Sequence, residues 1–430
     1  MKNKTIVKIL MIVFSIRPII DLFYNYSFAG INPAGYVALL TAVLACFSIA
    51  ISGFKFKVSI PILVFVSYTL LITLLNMSSF SNISDWLRIF SSVSFYFAVA
   101  PYLELSTFRN YVKVYLMATM IPIVFVFLQV AKIMPYQYFD WVNGVHVSRA
   151  TGGFPQPAVL TRFLVFGLLY ALYLFRETKT NKQRIFYILY CLVNLIAIFL
   201  TYHRTGYFLA VIILLMFTFY HYRGHLVKFI PKIAVLVVVG VIAIAIMNLY
   251  GIIQLDSSGF QQLLGFNNIV RTSNGQTTLH LRGRGAIAET YLGELFNSNN
   301  WLFGFGNDLN PETGSVLVDA DMDIIRILWS FGVLGLVIWI ILVVSLMTSV
   351  WKNKNDNGFL DIVKIGLIIY IVFGFTMDTT IMPNFMMHIY LLVGLTKYSN
   401  IKLSSNNNPT SFSHNTDLYN DVVPALTGSG

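Results

Sequence analysis

Apolar runs about as long as a bilayer is thick recur along nearly the whole chain, and nothing else in the sequence constrains the fold so strongly. A helix needs about 20 consecutive apolar residues to span the hydrocarbon core. Runs of this kind lie near 5–24, 33–53, 58–76, 85–104, 111–133, 155–175, 185–203, 206–222, 229–250, 322–350, 362–379 and 383–398. The expected fold is an all-α polytopic membrane protein with about twelve transmembrane helices. The chain is 57% hydrophobic and 11% charged, against roughly 45–50% and 25% in soluble domains. So few charges cannot cover a water-facing surface of this size. A net charge of +11 would suggest nucleic acid in a soluble protein. Here the expected partner is the lipid bilayer, with no nucleic acid, and the charge reads as an orientation signal.

Twelve helices with both termini inside place 19 of the 29 basic residues, 15 lysines and 4 arginines, in cytoplasmic segments and helix ends. This satisfies the positive-inside rule. The other ten are Arg17, Arg88, Lys132, Arg149, Arg162, Arg204, Arg271, Arg282, Arg284 and Arg326, nine of them arginine. Lysine suffices to orient a helix, whereas the arginine fork matches phosphate geometry through two hydrogen bonds. The outer face and outer helix ends thus read as built for an anionic ligand. Arg17 and Asp21 interrupt the first apolar run and no small-residue cleavage site follows, so this run is expected to be a membrane helix rather than a cleavable signal. Cys46 and Cys191 lie in apolar runs and read as buried thiols.

Four regions follow from the pattern. Residues 1–250 carry helices one to nine, 251–321 a large extracytoplasmic loop, 322–400 the last three helices, and 401–430 a polar, disordered cytoplasmic tail. Within the loop, Arg284, Ile287, Ala288, Tyr291, Leu292 and Leu295 recur at helical spacing, which predicts an amphipathic helix of about three turns. Loops of this length are usually functional.

No Walker loop, dinucleotide fingerprint, HExxH or Cys/His cluster is present, so no metal or cofactor is expected. Four segments carry candidate chemistry. In 149–157, Arg149 precedes two glycines and two prolines at the start of a helix bearing Arg162. Glycines let backbone amides approach a ligand, and a helix N-terminus favours an anion. The sharp turn 202–206 holds Tyr202, His203 and Arg204. Segment 280–285 sets His280, Arg282 and Arg284 around two glycines. Asp319, Asp321 and Asp323 precede Arg326, Gly332 and Gly335.

Taken in order, the arginine, glycines and proline of 149–157, the outer-turn Arg204 and the long loop with Arg282 and Arg284 resemble the O-antigen polymerase and ligase superfamily. Gly304-Phe305-Gly306, the spacing from Asp323 to Gly332 and Gly335, and Arg17-Pro18 with Asp21 are similar to that family as well. The resemblance covers roughly residues 10–395. It implies a C-type glycosyltransferase of the bacterial cytoplasmic (inner) membrane with its active site facing the periplasm. The donor and acceptor would be undecaprenyl-pyrophosphate-linked oligosaccharides, a chain-length regulator is a possible partner, and neither metal nor nucleotide sugar is required. Ligases of the family usually carry a histidine two residues before the aspartate matching Asp323. Asp321 stands there instead, which favours a polymerase over a ligase. On this resemblance Arg204, Arg282 and Arg284 hold the pyrophosphate. Arg149 and Arg162 hold the second lipid carrier, and Asp321 or Asp323 orients or deprotonates the acceptor hydroxyl. His280, Arg326 and Tyr202 are further substrate-binding candidates. A non-enzymatic flippase of the same lipid-linked glycan is the other class to weigh. It is expected to show repeated halves with broken helices at matching positions, and the sequence shows neither.

Overall fold

The computed structural model describes residues 2–24, 26, 33–52, 59–76, 80–136, 138–142, 145–222, 270–273, 276–279, 284–306, 323–353, 358–376 and 382–406. The helices are α1 (Lys2–Ile20), α2 (Pro33–Ser52), α3 (Ile60–Leu75), α4 (Phe80–Ser94), α5 (Leu105–Val130), α6 (Pro157–Glu177), α7 (Asn181–Leu200) and α8 (Arg204–Tyr222). They continue with α9 (Arg284–Asn297), α10 (Asp323–Trp351), α11 (Gly358–Thr376) and α12 (Pro383–Asn406). Among the described residues seven helices are long and apolar enough to cross a membrane: α2, α5, α6, α7, α8, α10 and α11. The chain is a mostly helical, multi-pass membrane protein. Of the other expected spans, α3 has only 16 residues, α1 carries Lys2, Lys4, Lys8 and Arg17, and α12 ends in a polar stretch with Lys397 and Lys402. The run at 85–104 divides into the end of α4, a π-turn at Phe95–Val99 and a 3-10 turn at Ala100–Tyr102. The run at 229–250 lies outside the described residues, as do 407–430 of the expected tail. The helix of α12 continues through Asn406, past the expected tail boundary.

Proline opens α2, α6 and α12, where the missing N–H would have no intrahelical partner and the fixed φ suits the first turn. Every residue of 160–174 in α6 and 383–396 in α12 is buried, so these two helices form the centre of the bundle. They meet where the Phe166 and His388 rings stack at 4.2 Å. Leu71, Val211 and Ile341 are exposed on the rim, as expected of side chains facing lipid. Cys191 is buried, but Cys46 is exposed. It projects from the outward side of α2, which a 3.6-residue repeat places away from the core, so the expectation of a buried thiol fails there. At the end of the bundle opposite the candidate site, Arg109 bonds Tyr173 at 3.2 Å and pairs with Glu177. Arg176 reaches Asp361 at 2.6 Å. These contacts tie α5, α6 and α11 together.

Two antiparallel hairpins interrupt the helical pattern: β1 (Tyr138–Val142) with β2 (Val145–Arg149), and β3 (Val270–Ser273) with β4 (Gln276–Leu279). Neither was expected from the sequence. The amphipathic helix falls where its spacing places it, as α9. Tyr291 and Leu295 of α9 pack on Ile325, Leu328 and Trp329 of α10.

The run expected as one helix at 322–350 is broken. α10 leaves helical geometry at Gly332, with φ 66° and ψ −173°, a region essentially reserved for glycine. Segment 301–306 fills the gap. Phe305 and Gly306 donate their amides to the Trp329 and Ser330 carbonyls at 2.9 Å each, and Val333 and Leu334 donate to Trp301 and Leu302 at 3.0 and 3.2 Å. The Tyr68 hydroxyl donates to the Phe331 carbonyl at 2.8 Å. A Cβ on Gly304 would lie 2.5 Å from the Gly332 nitrogen, and one on Gly332 would lie 2.3 Å from the Leu302 carbonyl oxygen. Both positions therefore need glycine because two backbones touch.

Gly332→Ala should lower stability by about 3 kcal/mol, through backbone strain and that contact together. Gly293→Ala in α9, where an added Cβ meets nothing within 4 Å, should instead stabilise by about 0.5–1 kcal/mol. Thermal unfolding of the purified protein in detergent separates the two. Equal behaviour would show that the docked break is not the constraint described.

Candidate functional site

Three candidate residues lie at matching helix ends, Arg162 in the second turn of α6, Arg204 at the start of α8 and Asp323 at the start of α10, and two residues not singled out in the sequence join them, Asp21 just after the end of α1 and Asn384 in the first turn of α12. Alternation of antiparallel helices gathers these ends at one end of the bundle.

The centre of the site is a polar layer on an aromatic floor. In α1 and the 3-10 turn after it, Phe14, Arg17 and Asp21 share one face by three- and four-residue spacing. Arg17 and Asp21 are 3% and 4% exposed, with Arg17 Nε 2.7 Å from Asp21 Oδ1. That contact is a close charge pair. Arg17, then Asn384 of α12 and the charge of Arg162, all act on the Asp21 carboxylate. Arg162 is itself 4% exposed.

One turn further into the bundle, Phe14, Tyr115, Phe166, Tyr170 and His388 form the floor. Phe14 meets His388 edge-on at 4.7 Å, Tyr115 meets it at 5.1 Å, and Phe166 stacks on it. Tyr170 Oη and His388 Nδ1 share a hydrogen bond of 2.9 Å. His388 Nε2 and Asn384 Oδ1 are buried without a hydrogen-bond partner.

The α7–α8 corner brings a second pair of arginines together. Tyr202 takes φ 51°, an uncommon left-handed conformation for a bulky residue, which lets the chain reverse within three residues. The Gly206 amide donates to His203 Nδ1 at 3.3 Å, capping the first turn of α8. A Cβ on Gly206 would lie 2.6 Å from Thr161 Cγ2, so this turn packs on α6 at Thr161, the residue before Arg162. The charges of Arg149, at the end of β2, and of Arg204 both act on the Tyr207 phenol. The Tyr207 hydroxyl donates to the Phe199 carbonyl at 2.6 Å. Burial, and then the nearby Tyr136 phenol, push the Tyr202 phenol above its ordinary pKa, keeping it a neutral hydroxyl.

The glycines of 149–157 do a different job from the one their sequence suggests. Gly152 and Gly153 take φ 60° and 89°. The amides of Thr151 and Gly152 both donate to Gln129 Oε1 at 2.9 Å, so neither is offered to a ligand. A Cβ on Gly152 would lie 2.6 Å from the Pro122 carbonyl oxygen. The loop is pressed onto α5, and this fixes where Arg149 leaves β2.

Asp323 is fully buried. It fits against Gly374 of α11, where a Cβ would lie 2.9 Å from its Oδ2, and its charge acts on Tyr390 of α12. Arg326 is one turn along and partly buried. His280, Arg282 and Asp321 lie outside the described residues, and of Arg284 only its place as the first residue of α9 is described. The structure thus brings Arg149 and Arg204 together near Tyr202 and Tyr207, and Arg162 together with Asp21. Asp323 sits instead against Gly374 of α11, near Tyr390 of α12.

Sequence reasoning passed over Asp21 as a site residue, and also Asn384, His388 and Gln129. Two pairs of polar residues spaced i,i+4 within apolar runs, Arg17/Asp21 and Asn384/His388, were the available signal, since intramembrane ionisable groups mark function. A groove of about 410 Å3 between α2 and α4, lined by Leu39, Cys46, Phe47, Trp86 and Phe90 among others, carries none of the candidate residues. No protein-family model matches the chain, and no curated protein matches it in sequence.

Gln129→Leu removes the acceptor of two buried amides and should cost about 2–4 kcal/mol of stability. Thermal unfolding measures this, and limited proteolysis should show new cleavage between Arg149 and Phe154. Unchanged stability and cleavage would mean that Gln129 does not anchor the loop.

Proposed function

We propose that the chain is a bacterial polysaccharide polymerase of the O-antigen, capsule or exopolysaccharide type. It transfers a growing glycan from undecaprenyl pyrophosphate to a sugar hydroxyl of another lipid-linked repeat. The observation that supports this reading best is the gathering of Arg149, Arg162 and Arg204 at the same helix ends as the buried carboxylates Asp21 and Asp323. The topology proposed with it has twelve spans, both termini cytoplasmic, and the site facing the periplasm.

In the reaction the acceptor hydroxyl oxygen bonds to the anomeric carbon, and the bond from that carbon to the pyrophosphate oxygen breaks. The leaving pyrophosphate takes the electron pair, and the hydroxyl proton passes to a carboxylate, for which Asp321 and Asp323 are the candidates. Neutralising the developing negative charge is the main demand. A preorganised donor in a water-poor site contributes a factor of about 10²–10³. Arg204, Arg282 and Arg284 are assigned to that pyrophosphate, Arg149 and Arg162 to the second carrier, and Tyr202, His280 and Arg326 to the sugars or phosphates beside them.

The break in α10 favours the flippase reading at first sight, because transporters expose such breaks to their cargo. Here segment 301–306 and Tyr68 take up the backbone groups that the break frees, leaving that surface closed to a ligand. The absence of the ligase histidine keeps the polymerase ahead of a ligase.

Arg204→Lys, Arg282→Lys and Arg284→Lys should each slow polymerisation at least tenfold, about 1.4 kcal/mol, at unchanged membrane abundance. The exposed Arg184, which bonds only the Thr178 carbonyl among described partners, supplies the silent control. Arg109 does not, because its fork bridges Tyr173 and Glu177. Polymer length is read on a gel, and near-parental polymer from all three variants sinks the assignment. A deletion strain should accumulate single repeats on the lipid. Long lipid-linked chains there would make the protein a ligase instead. Cysteines placed at Ser273 and Asn297 should label from outside in spheroplasts, and those at Lys179 and Lys354 should not. Labelling at 179 would overturn the topology.

A further inference from the structure

Three large aromatic side chains stand in the open at the corner that joins α9 to the break in α10. Phe296, Trp301 and Phe303 are 56%, 44% and 50% exposed. The corner itself is a bonded frame. The Ser298 hydroxyl donates to the Leu295 carbonyl at 2.7 Å and accepts from the Asn300 amide at 3.1 Å, and the Phe303 amide donates to the Asn300 carbonyl at 3.1 Å. Behind it, Tyr291 and Leu295 are buried on α10. A single exposed apolar residue is ordinary on any protein, but three aromatic rings held outward by one rigid corner mark a contact surface.

The level of this surface in the bilayer follows from α10. The Trp301 and Leu302 carbonyls accept from the Val333 and Leu334 amides, just past the break. No residue of 323–332 is exposed, whereas Leu334, Val337, Ile340, Ile341 and Val344 are. The lipid-facing side of this helix therefore begins at the splint. It ends at Trp351, itself exposed. Residues 333–351 rise about 28 Å at 1.5 Å per residue, close to a hydrocarbon thickness of about 30 Å. Two exposed tryptophans, Trp301 and Trp351, thus stand one membrane thickness apart along a single helix. Tryptophan gathers at both membrane–water boundaries, where its apolar ring and its N–H meet different surroundings. The end of α3 gives the same level independently. Its last residue, Leu75, is exposed, and Asn76, which follows, lies against Gly306, where a Cβ would be 2.7 Å from it. An apolar side chain open to lipid therefore stands beside the far end of the splint.

We infer that Phe296, Trp301 and Phe303 form an interfacial anchor, inserted into the lipid layer at the end of the bundle that carries the candidate site. The contact is with the apolar boundary of the bilayer rather than with charged headgroups. Residues 291–306 contain no lysine or arginine, and the polar side chains that accompany the rings are the exposed Asn297, Asn299 and Asn300. The splint fixes the corner from the protein side and the anchor fixes it from the lipid side, so the height of α9 over the membrane is set from both. The inference rests on the membrane-spanning fold alone and is independent of the polymerase reading.

Nitroxide labelling of the full-length chain, reconstituted at one copy per lipid nanodisc, tests this. Phe303→Cys is placed in a Cys46→Ser background, the remaining Cys191 being buried. Asn299→Cys serves as the water-side reference and Ile341→Cys, exposed midway along α10, as the lipid-side one. Power saturation compares collisions with oxygen, which concentrates in lipid, and with a water-soluble nickel chelate. The oxygen-to-nickel ratio at position 303 should fall between the two references and exceed that at 299 several-fold, in zwitterionic and anionic discs alike. A ratio at 303 as low as at 299 overturns the inference, since that position then faces water. A label at 303 that neither reagent reaches overturns it too, because other parts of the chain then cover the corner. A lipid preference confined to anionic discs overturns the apolar mode of contact. Where Phe303→Cys does not accumulate, the fluorescence that Trp301→Phe removes gives the same reading. It should be quenched more by phospholipids brominated near the headgroup than by iodide in the water, and the reverse order overturns the inference.

Discussion

Inside a bilayer every backbone amide and carbonyl must find a partner within the protein, because lipid offers none. Most of this chain meets that demand with continuous helices. α10 does not, and much of the architecture at the site end follows from the repair. A straight helix of its 29 residues would run about 44 Å at 1.5 Å per residue, well beyond a hydrocarbon core of about 30 Å. Breaking at Gly332 separates a membrane-length segment after it from two turns before it. The two turns are then free to take their own direction. Segment 301–306 lies along the break as a short strand-like splint, and Tyr68 ties the same point to α3. Trp329 stands at the join, edge-on to Tyr291 at 4.8 Å and against Phe305 at 4.5 Å. The splint, α9 and the first turns of α10 are therefore one packed unit. Asp323 is thus held relative to α9 by the backbone hydrogen bonds of the splint together with the ring packing on Trp329, which suits a site that must be preorganised.

The second organising feature is the placing of charge in a low dielectric. Arg17, Asp21 and Arg162 sit where isolated ions would be expensive, above a layer of aromatic rings that separates them from the opposite half of the bundle. The floor includes His388, whose polar edge is turned to Tyr170 while its faces and sides meet Phe166, Phe14 and Tyr115. At the other end of the same helices, ion pairs are also used, but Arg109 and Glu177 there are partly exposed. Such pairs contribute little individually and chiefly register α5 and α6. The contrast between charges that are all buried at one end and ion pairs that reach the surface through Arg109, Glu177 and Arg176 at the other gives the bundle its chemical polarity.

How far the sequence reveals this depends on whether a feature is written in periodicity or in tertiary contact. The apolar runs are legible because hydropathy over about 20 residues is a local property. α9 is legible because Tyr291 and Leu295 repeat on one face. Gly332 was visible as a glycine, but its break was not. The helix on both sides is apolar, and the splint that makes the break possible lies some thirty residues upstream. The β1–β2 hairpin escaped notice because its strands lie between membrane runs and lack clean alternation. Gly152 and Gly153 show the opposite error. Glycines before a helix suggest a cradle for a ligand, yet the loop amides are consumed by Gln129, a residue that no local pattern connects to them. The arginine bias drew attention to Arg149, Arg162 and Arg204, while Asp21 entered only as part of the Arg17-Pro18 resemblance and was passed over as a site residue, because its burial beside Arg17 and Asn384 is a tertiary property.

The two arginine groupings differ in a way that bears on a reaction with two lipid carriers. Arg149 and Arg204 gather around Tyr207, a neutral phenol whose proton is committed to the Phe199 carbonyl. Both charges thus reach one neutral hydroxyl at the α7–α8 corner. The charge of Arg162 acts instead on a carboxylate, Asp21, which Arg17 approaches at 2.7 Å. A cation beside a dipole gains more from an arriving anion than a cation beside a carboxylate, and the gain grows with the charge of that anion. In the proposed reaction one pyrophosphate accumulates charge as its bond to the sugar breaks, and the other keeps its charge throughout. The first demand is matched by the Arg204 corner and the second by the Arg162 layer. Differential stabilisation of the changing charge, rather than tight holding of both carriers, is what accelerates the chemical step. In the proposed reaction, the division of the arginines between a corner around a phenol and a layer around a carboxylate therefore suits a site that treats donor and acceptor differently.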